Sequence, residues 1–215
     1  MILIYTNINI NYYTMESKSP LTKRIQKEHT ELINVSRKYK SDPAAENARY
    51  YLDESEKTNI QDFIVYLRGP SGTPYVGGIY KLSFKLDNTF PYQPPKIKFV
   101  TPVYHPNIDE DGNICLDTLK QQWSPALCID HVILSISALL DKPNPDDPLS
   151  PSIAKEYKNN YKLFLKNAIK STKENTKSTK DPHRSYMSEN EVIEKVNEEN
   201  ASKIKTKNNG GNNLD

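Results

Sequence analysis

The chain has 215 residues and a mean hydropathy of −0.75, long enough for one domain of about 150 residues with a real core plus polar extensions, and tight for two. Its 29 basic and 27 acidic side chains leave a formal charge of +2, which removes the basic excess that would point to nucleic acid as the main partner. Two cysteines, Cys115 and Cys128, argue against a secreted disulfide scaffold and for a reducing compartment, cytoplasmic or nuclear; no run approaches the roughly 18 apolar residues of a membrane span.

Residues 1–14 are apolar, but they lack a basic head and asparagine interrupts the run, so we read no secretion signal. Residues 1–19 are taken as a disordered extension, with Met15 available as a second start. Ser19-Pro20-Leu21-Thr22 has the chemistry of a helix start, and Leu21, Ile25, Glu28, Leu32 and Ile33 recur at helical spacing. Lys23, Arg24 and Lys27 form a basic face between them, for which solvated charge is the usual explanation. The polar stretch 34–60 continues the helix towards Tyr39 and then loops around Asp42-Pro43.

From Asp62 the texture changes to strands. Phe63 to Leu67 is β-rich, 69–75 is a dense Gly-Pro turn, and Ile79 to Leu86 alternates apolar with polar. The prolines of Phe90-Pro91-Tyr92-Gln93-Pro94-Pro95 break the ladder before Lys96 to Val100 resumes it as a fourth strand. The extra residues of 34–60 leave the first strand unplaced. The order predicts an α+β fold: an N-terminal helix, a four-stranded antiparallel meander with one buried face, a loop segment and C-terminal helices.

That loop segment organises the chain. In His105-Pro106-Asn107-Ile108-Asp109-Glu110-Asp111-Gly112-Asn113-Ile114-Cys115-Leu116-Asp117 the backbone must turn around Asp111 and Gly112, then re-extend, leaving Cys115 just after the turn. A lone intracellular cysteine is commonly a small core residue, yet here polar groups flank it on both sides. Trp123-Ser124-Pro125-Ala126-Leu127 follows closely. Further on, Asp130 to Leu140 reads as an amphipathic helix with Val132, Ile133, Ile136, Leu139 and Leu140 inward. Pro143 to Leu149 ends it in a stiff acidic loop, and helices follow at Ser152 to Tyr157 and Asn159 to about Lys173. Beyond 173 the composition cannot bury enough apolar area to offset chain entropy, so the tail to 215 is expected to be disordered, with a weak helical signal at Val192, Ile193 and Val196.

The His-Pro-Asn tripeptide, the acidic Gly turn, Cys-Leu-Asp and Trp-Ser-Pro-Ala-Leu resemble the active-site segment of ubiquitin-conjugating enzymes, and the order of elements resembles that fold from about 20 to about 172. The segment 34–60 departs from the family by its extra length. The resemblance implies an acyl transferase that takes ubiquitin from the activating enzyme as a thioester on Cys115 and passes it to a substrate lysine, usually with a ligase. ATP is then spent by the upstream enzyme, and neither a bound cofactor nor a metal is expected. Asn107 corresponds to the oxyanion-stabilising amide, and Asp147 and Asp117 to acids that position the lysine and accept its proton. Lys23 and Arg24 correspond to residues that meet the activating enzyme and ligases. Pro91, Tyr92, Ser124, Pro125 and Ala126 line the groove gripped by RING-type or HECT-type ligases, with Tyr92 where phenylalanine is common. His131, Leu134 and Ala138 fall where donor ubiquitin is clamped. Partners are thus ubiquitin, its activating enzyme, ligases and protein substrates, with no nucleic acid or membrane and a monomeric chain.

The chemistry is consistent with those residue types. Thioester exchange is nearly balanced in energy and needs a reachable thiolate more than a strong base, and a thiol at an ordinary pKa of about 8.5 supplies a few per cent near neutrality. Aminolysis is harder, because about one lysine in a thousand is neutral at pH 7.4 and a carboxylate alone would favour the ammonium. Asp147 and Asp117 must therefore orient the amine and take its proton as the bond forms. Asn107 has a second role open to it, bracing the turn, and His105 is assigned to structure. Three alternatives stay open: a conjugating enzyme for another ubiquitin-like modifier, an inactive ubiquitin-binding scaffold, and a cysteine hydrolase, although neither His131 nor His183 has a recognisable base setting.

Overall fold

The computed structural model describes residues 20–41, 49–52 and 60–177, with 186, 188, 190, 191, 193, 194, 197 and 198 in the tail. The expectations for 1–19, for the loop at Asp42-Pro43 and for most of the tail lie outside these residues.

Helix α1 spans Pro20–Ser41, with the proline at a position where its missing N–H costs nothing. Its Ile25 and Leu32 are buried and Ile33 packs against the core, as the spacing requires. Strands β1 (Tyr50–Leu52), β2 (Asp62–Arg68), β3 (Ile79–Lys85) and β4 (Lys96–Phe99) pair antiparallel in chain order. The first strand, which the sequence left unplaced, is β1 inside the enlarged segment. Register places Val65 opposite Leu82, Phe63 opposite Phe84 and Leu82 opposite Phe99, so one face carries a continuous apolar layer. Phe63 and Phe84 stack at 5.2 Å on that layer.

Helix α2 (Ile129–Asp141) buries Val132, Ile133, Ile136, Leu139 and Leu140, all five residues predicted for its inner face. Helices α3 (Pro151–Asn159) and α4 (Tyr161–Asn175) follow, α4 starting after an Asn160 cap that accepts from the Leu163 N–H. A polar layer ties α1 to the sheet: the Leu52 N–H donates to Ser36 Oγ at 2.6 Å, and that hydroxyl donates to the Leu32 carbonyl.

Two differences concern the C-terminal end. Folded backbone does not stop at 172: α4 runs to Asn175 and both Thr172 and Thr176 are buried. Their hydroxyls donate to carbonyls one turn back, so two polar residues pack without orphaned groups where a count of apolar side chains sees none. In the tail, residues 190, 191, 193, 194, 197 and 198 are helical. This is where the weak helical signal of Val192, Ile193 and Val196 lies, and Ser188 and Glu191 exchange N-terminal capping bonds at its start.

Candidate active site

The site grows from the turn after β4. Asp109 accepts the Gly112 N–H on its carbonyl, while its carboxylate takes the backbone and side-chain N–H groups of Asn113, each at 2.8 Å. Gly112 has φ of 75° and its carbonyl accepts the Phe99 N–H; a Cβ there would lie 1.9 Å from the Phe99 carbonyl oxygen. Only glycine fits. Ile108 and Ile114 then bridge, and the Cys115 N–H donates to the Asn107 carbonyl at 2.9 Å. The turn predicted from Asp111 and Gly112 therefore fixes Cys115 alongside the His-Pro-Asn tripeptide.

His105 and Asn107 are both almost wholly buried, at 0% and 1% exposure. His105 Nδ1 accepts the Asn107 N–H, so Nε2 carries the proton and donates to the Leu139 carbonyl at 2.9 Å. Burial drives its pKa down to about 4, only partly opposed by that backbone bond. The imidazole is a neutral spacer between the tripeptide and α2, the structural role expected of it.

Asn107 takes the bracing role left open to it, on a distant loop as well as at the turn. Its Nδ2 donates to the carbonyls of Asn144 (2.7 Å) and Asp147 (2.9 Å), and its Oδ1 accepts the Asn144 N–H at 2.8 Å. These partners admit one amide orientation only, because a flipped amide would set oxygen against two carbonyls. Both amide hydrogens are spent, leaving none to aim at an oxyanion. In this state Asn107 is the brace of the 144–150 loop, which Pro106 reinforces by accepting the N–H groups of Leu149 and Ser150.

That loop delivers Asp147 to the thiol. Cys115 Sγ donates to Asp147 Oδ2 at 3.1 Å, and Lys120 Nζ donates to the same sulfur at 3.0 Å. Cys115 is free and 7% exposed, less open than a reachable thiolate suggests. Both side chains in contact with the sulfur, Lys120 and Asp147, are themselves exposed. Desolvation raises the thiol above its ordinary pKa, Lys120 opposes this and Asp147 adds to it, so the resting thiol is less ionised than an unperturbed cysteine.

Sequence reasoning missed Lys120. A 3-10 turn at Asp117–Leu119 reverses the chain, the Asp117 carbonyl accepting the N–H groups of Lys120 and Gln122, and this brings the lysine back over the sulfur. Asp117 itself is exposed, and its charge raises the pKa of Lys120, behind the larger effects of Cys115 and Asp147. Of the two predicted acids, Asp147 contacts the sulfur and Asp117 acts one group away.

The two proline loops assigned to the groove are joined in the structure, and Arg24 differs from its expected place. Trp123 Nε1 donates to the Pro91 carbonyl at 2.9 Å and the indole packs 6.1 Å from Phe90, joining the two proline loops. Tyr92 is 79% exposed beside the half-buried Pro91, and Ser124, Pro125 and Ala126 are exposed. Lys23 is exposed too, but Arg24 is not a free surface cation. Its guanidinium donates to the Pro125 carbonyl (2.7 Å), the Leu127 carbonyl (2.6 Å) and Glu28 Oε1 (2.6 Å), and lies over the Phe90 ring. The buried Glu28 also accepts the Ile129 N–H at 2.8 Å. Arg24 is thus spent on positioning the groove. On α2, His131 and Ala138 are exposed and Leu134 half-buried, on the outward face as predicted. Among the described residues no cluster of three or more His, Cys, Asp or Glu side chains could hold a metal, and no helix is long and apolar enough to cross a membrane.

The family model described as ubiquitin-conjugating enzyme matches residues 24–172. The chain is 52% identical over 106 residues to a probable ubiquitin-conjugating enzyme E2 31 of Arabidopsis thaliana, covering 49% of this chain and 69% of that one. It is 46% identical over 115 residues to ubiquitin-conjugating enzyme E2 N of Macaca fascicularis, covering 54% and 76%. A crystal structure from Plasmodium yoelii, described as a ubiquitin conjugating enzyme, superposes with a TM-score of 0.64 at 41% identity, over 74% of this chain and 97% of that one. A Toxoplasma gondii ubiquitin conjugating enzyme E2 domain gives 0.59 at 36%, over 69% and 99%.

Proposed function

This chain belongs to the ubiquitin-conjugating enzyme family, and from that premise we propose that Cys115 is the thiol that receives ubiquitin from the activating enzyme and releases it to a substrate lysine. The observation that carries the reading is the sulfur's setting: a free thiol behind a rigid turn, between the charged groups of Lys120 and Asp147. Cys128, at the N-cap of α2, has no such setting.

In loading, the activating enzyme's sulfur leaves the acyl carbon as Cys115 Sγ bonds to it. In discharge, the incoming amine replaces Sγ, and Asp147 is the nearest carboxylate to accept the proton released as the C–N bond forms. Asn107 supports this step by holding the backbone of Asp147. Asp117 acts as a second acid at the rim. The exposed Tyr92, Ser124, Pro125 and Ala126 make a surface suited to RING-type or HECT-type ligases, and the exposed Lys23 precedes the Arg24 that bonds to it. His131, Leu134 and Ala138 offer the outward strip of α2 to donor ubiquitin. A monomer working in the cytoplasm or nucleus agrees with this reading.

Incubation with activating enzyme, ATP and ubiquitin, followed by non-reducing electrophoresis, tests it. The expected product is one reducible adduct, absent in Cys115→Ala and retained in Cys128→Ser. An adduct that survives Cys115→Ala, or that forms with another ubiquitin-like modifier but not with ubiquitin, would overturn the assignment.

A further inference from the structure

The 3-10 turn holds Lys120 against the sulfur through its backbone: the lysine's N–H is bound to the Asp117 carbonyl and its own carbonyl accepts the Trp123 N–H. The side chain then reaches back five residues to put Nζ 3.0 Å from Cys115 Sγ. The same sulfur donates to Asp147 Oδ2 at 3.1 Å. One thiol thus contacts a proton acceptor and a cation, the two groups needed to ionise it and to hold the resulting charge.

We propose that Lys120 is a further catalytic residue of loading, the counter-ion of the Cys115 thiolate as it attacks the incoming thioester. This rests on the reading of Cys115 given above. The Sγ–H proton leaves along its existing hydrogen bond to Asp147 and passes to solvent, and the negative charge left on sulfur is met by the Lys120 ammonium, which keeps its own protons. The Sγ–acyl bond forms, the bond from the acyl carbon to the activating enzyme's sulfur breaks, and that sulfur departs with the electron pair as a thiolate. Once the thioester has formed, Sγ carries no charge and the ion pair dissolves. Lys120 therefore favours the attacking state over the loaded product, as a group acting in the transition state must.

The charged groups around the sulfur come from three places: Lys120 after the turn, Asp117 at its start and Asp147 from the braced loop. Of these Lys120 stabilises a thiolate, Asp147 opposes it, and Asp117 acts on Lys120. Removing the lysine leaves the sulfur in contact with the Asp147 carboxylate without its counter-ion.

The test needs no ubiquitin, so its failure is separable from failure of the thioester assignment. In the full chain carrying Cys128→Ser, the rate of Cys115 alkylation by iodoacetamide is followed against pH. Lys120→Met is expected to move the midpoint of that profile upward, and Lys120→Arg to restore it. Asp147→Asn is expected to move it downward. Each unit of upward shift reduces the thiolate fraction near neutrality about tenfold, while the more basic thiolate is intrinsically more reactive, so the net rate falls about threefold per unit and the high-pH plateau rises. That pairing of a slower neutral rate with a faster plateau separates a counter-ion from a residue that merely covers the sulfur, whose loss would speed alkylation at every pH. An unchanged midpoint in Lys120→Met, or a uniform acceleration, overturns the proposal. An upward shift in Asp147→Asn would overturn the division of roles between the two groups.

Discussion

At the scale of single residues, the two polar side chains buried beside the thiol are fully bonded, and each bond has a measurable consequence. His105 is held neutral with a pKa near 4 against an ordinary 6.5, so between those values the unfolded chain binds a proton that the folded chain refuses. Its contribution to stability is complete above about pH 6.5 and declines as the pH falls towards about 4, by roughly 3 kcal/mol in all. Urea midpoints measured across that range should fall accordingly, and His105→Gln should flatten the part due to this group. For Asn107 the expected outcome is a split. Asn107→Ala keeps the capacity to load but loses about 100-fold in discharge to free lysine, the scale of a displaced proton acceptor, and hydrogen exchange over 144–150 accelerates. A slow discharge with unchanged exchange would return Asn107 to the oxyanion role. The tripeptide was legible in the sequence as a motif; the use of its amide was not, because the partners are backbone carbonyls of a loop 37 and 40 residues away.

Among the elements, the strands and helices were legible wherever burial is one-sided, since alternation in β2 and β3 and helical spacing in α2 follow from having one face against the core. The turn from Asp109 to Asn113 was legible as well, its bonds being local. Gly112→Ala tests it: the left-handed backbone alone costs about 1 to 2 kcal/mol for a residue with a Cβ, and contact with the Phe99 carbonyl forces the turn off β4 in addition. A lowered urea midpoint together with slower ubiquitin loading is the expected result. The approach of Lys120 to the sulfur escaped notice for the opposite reason. It depends on a 3-10 reversal whose residues, Asp-Thr-Leu, carry no strong turn signature.

Across the whole molecule, the groove and the thiol are mounted on one frame. Arg24 and Glu28 reach from α1 to the 125–129 segment, 101 to 103 residues further along the chain, a distance over which a basic helical face looks like ordinary surface. Arg24→Ala leaves Glu28 buried without its cation and two carbonyls without a donor, so a loss of about 3 kcal/mol is expected, read as a lower thermal midpoint. Lys23→Ala, on the exposed side of the same turn, should leave the midpoint unchanged while weakening transfer from the activating enzyme. The join between the two proline loops has a use of its own. Trp123 is the single tryptophan of the chain, and its indole bridges to the Pro91 carbonyl, the residue before the exposed Tyr92. Native fluorescence, excited at the red edge where the fourteen tyrosines are silent, is therefore an unlabelled optical gauge of whatever docks there, and a titration can be followed from the enzyme's own emission.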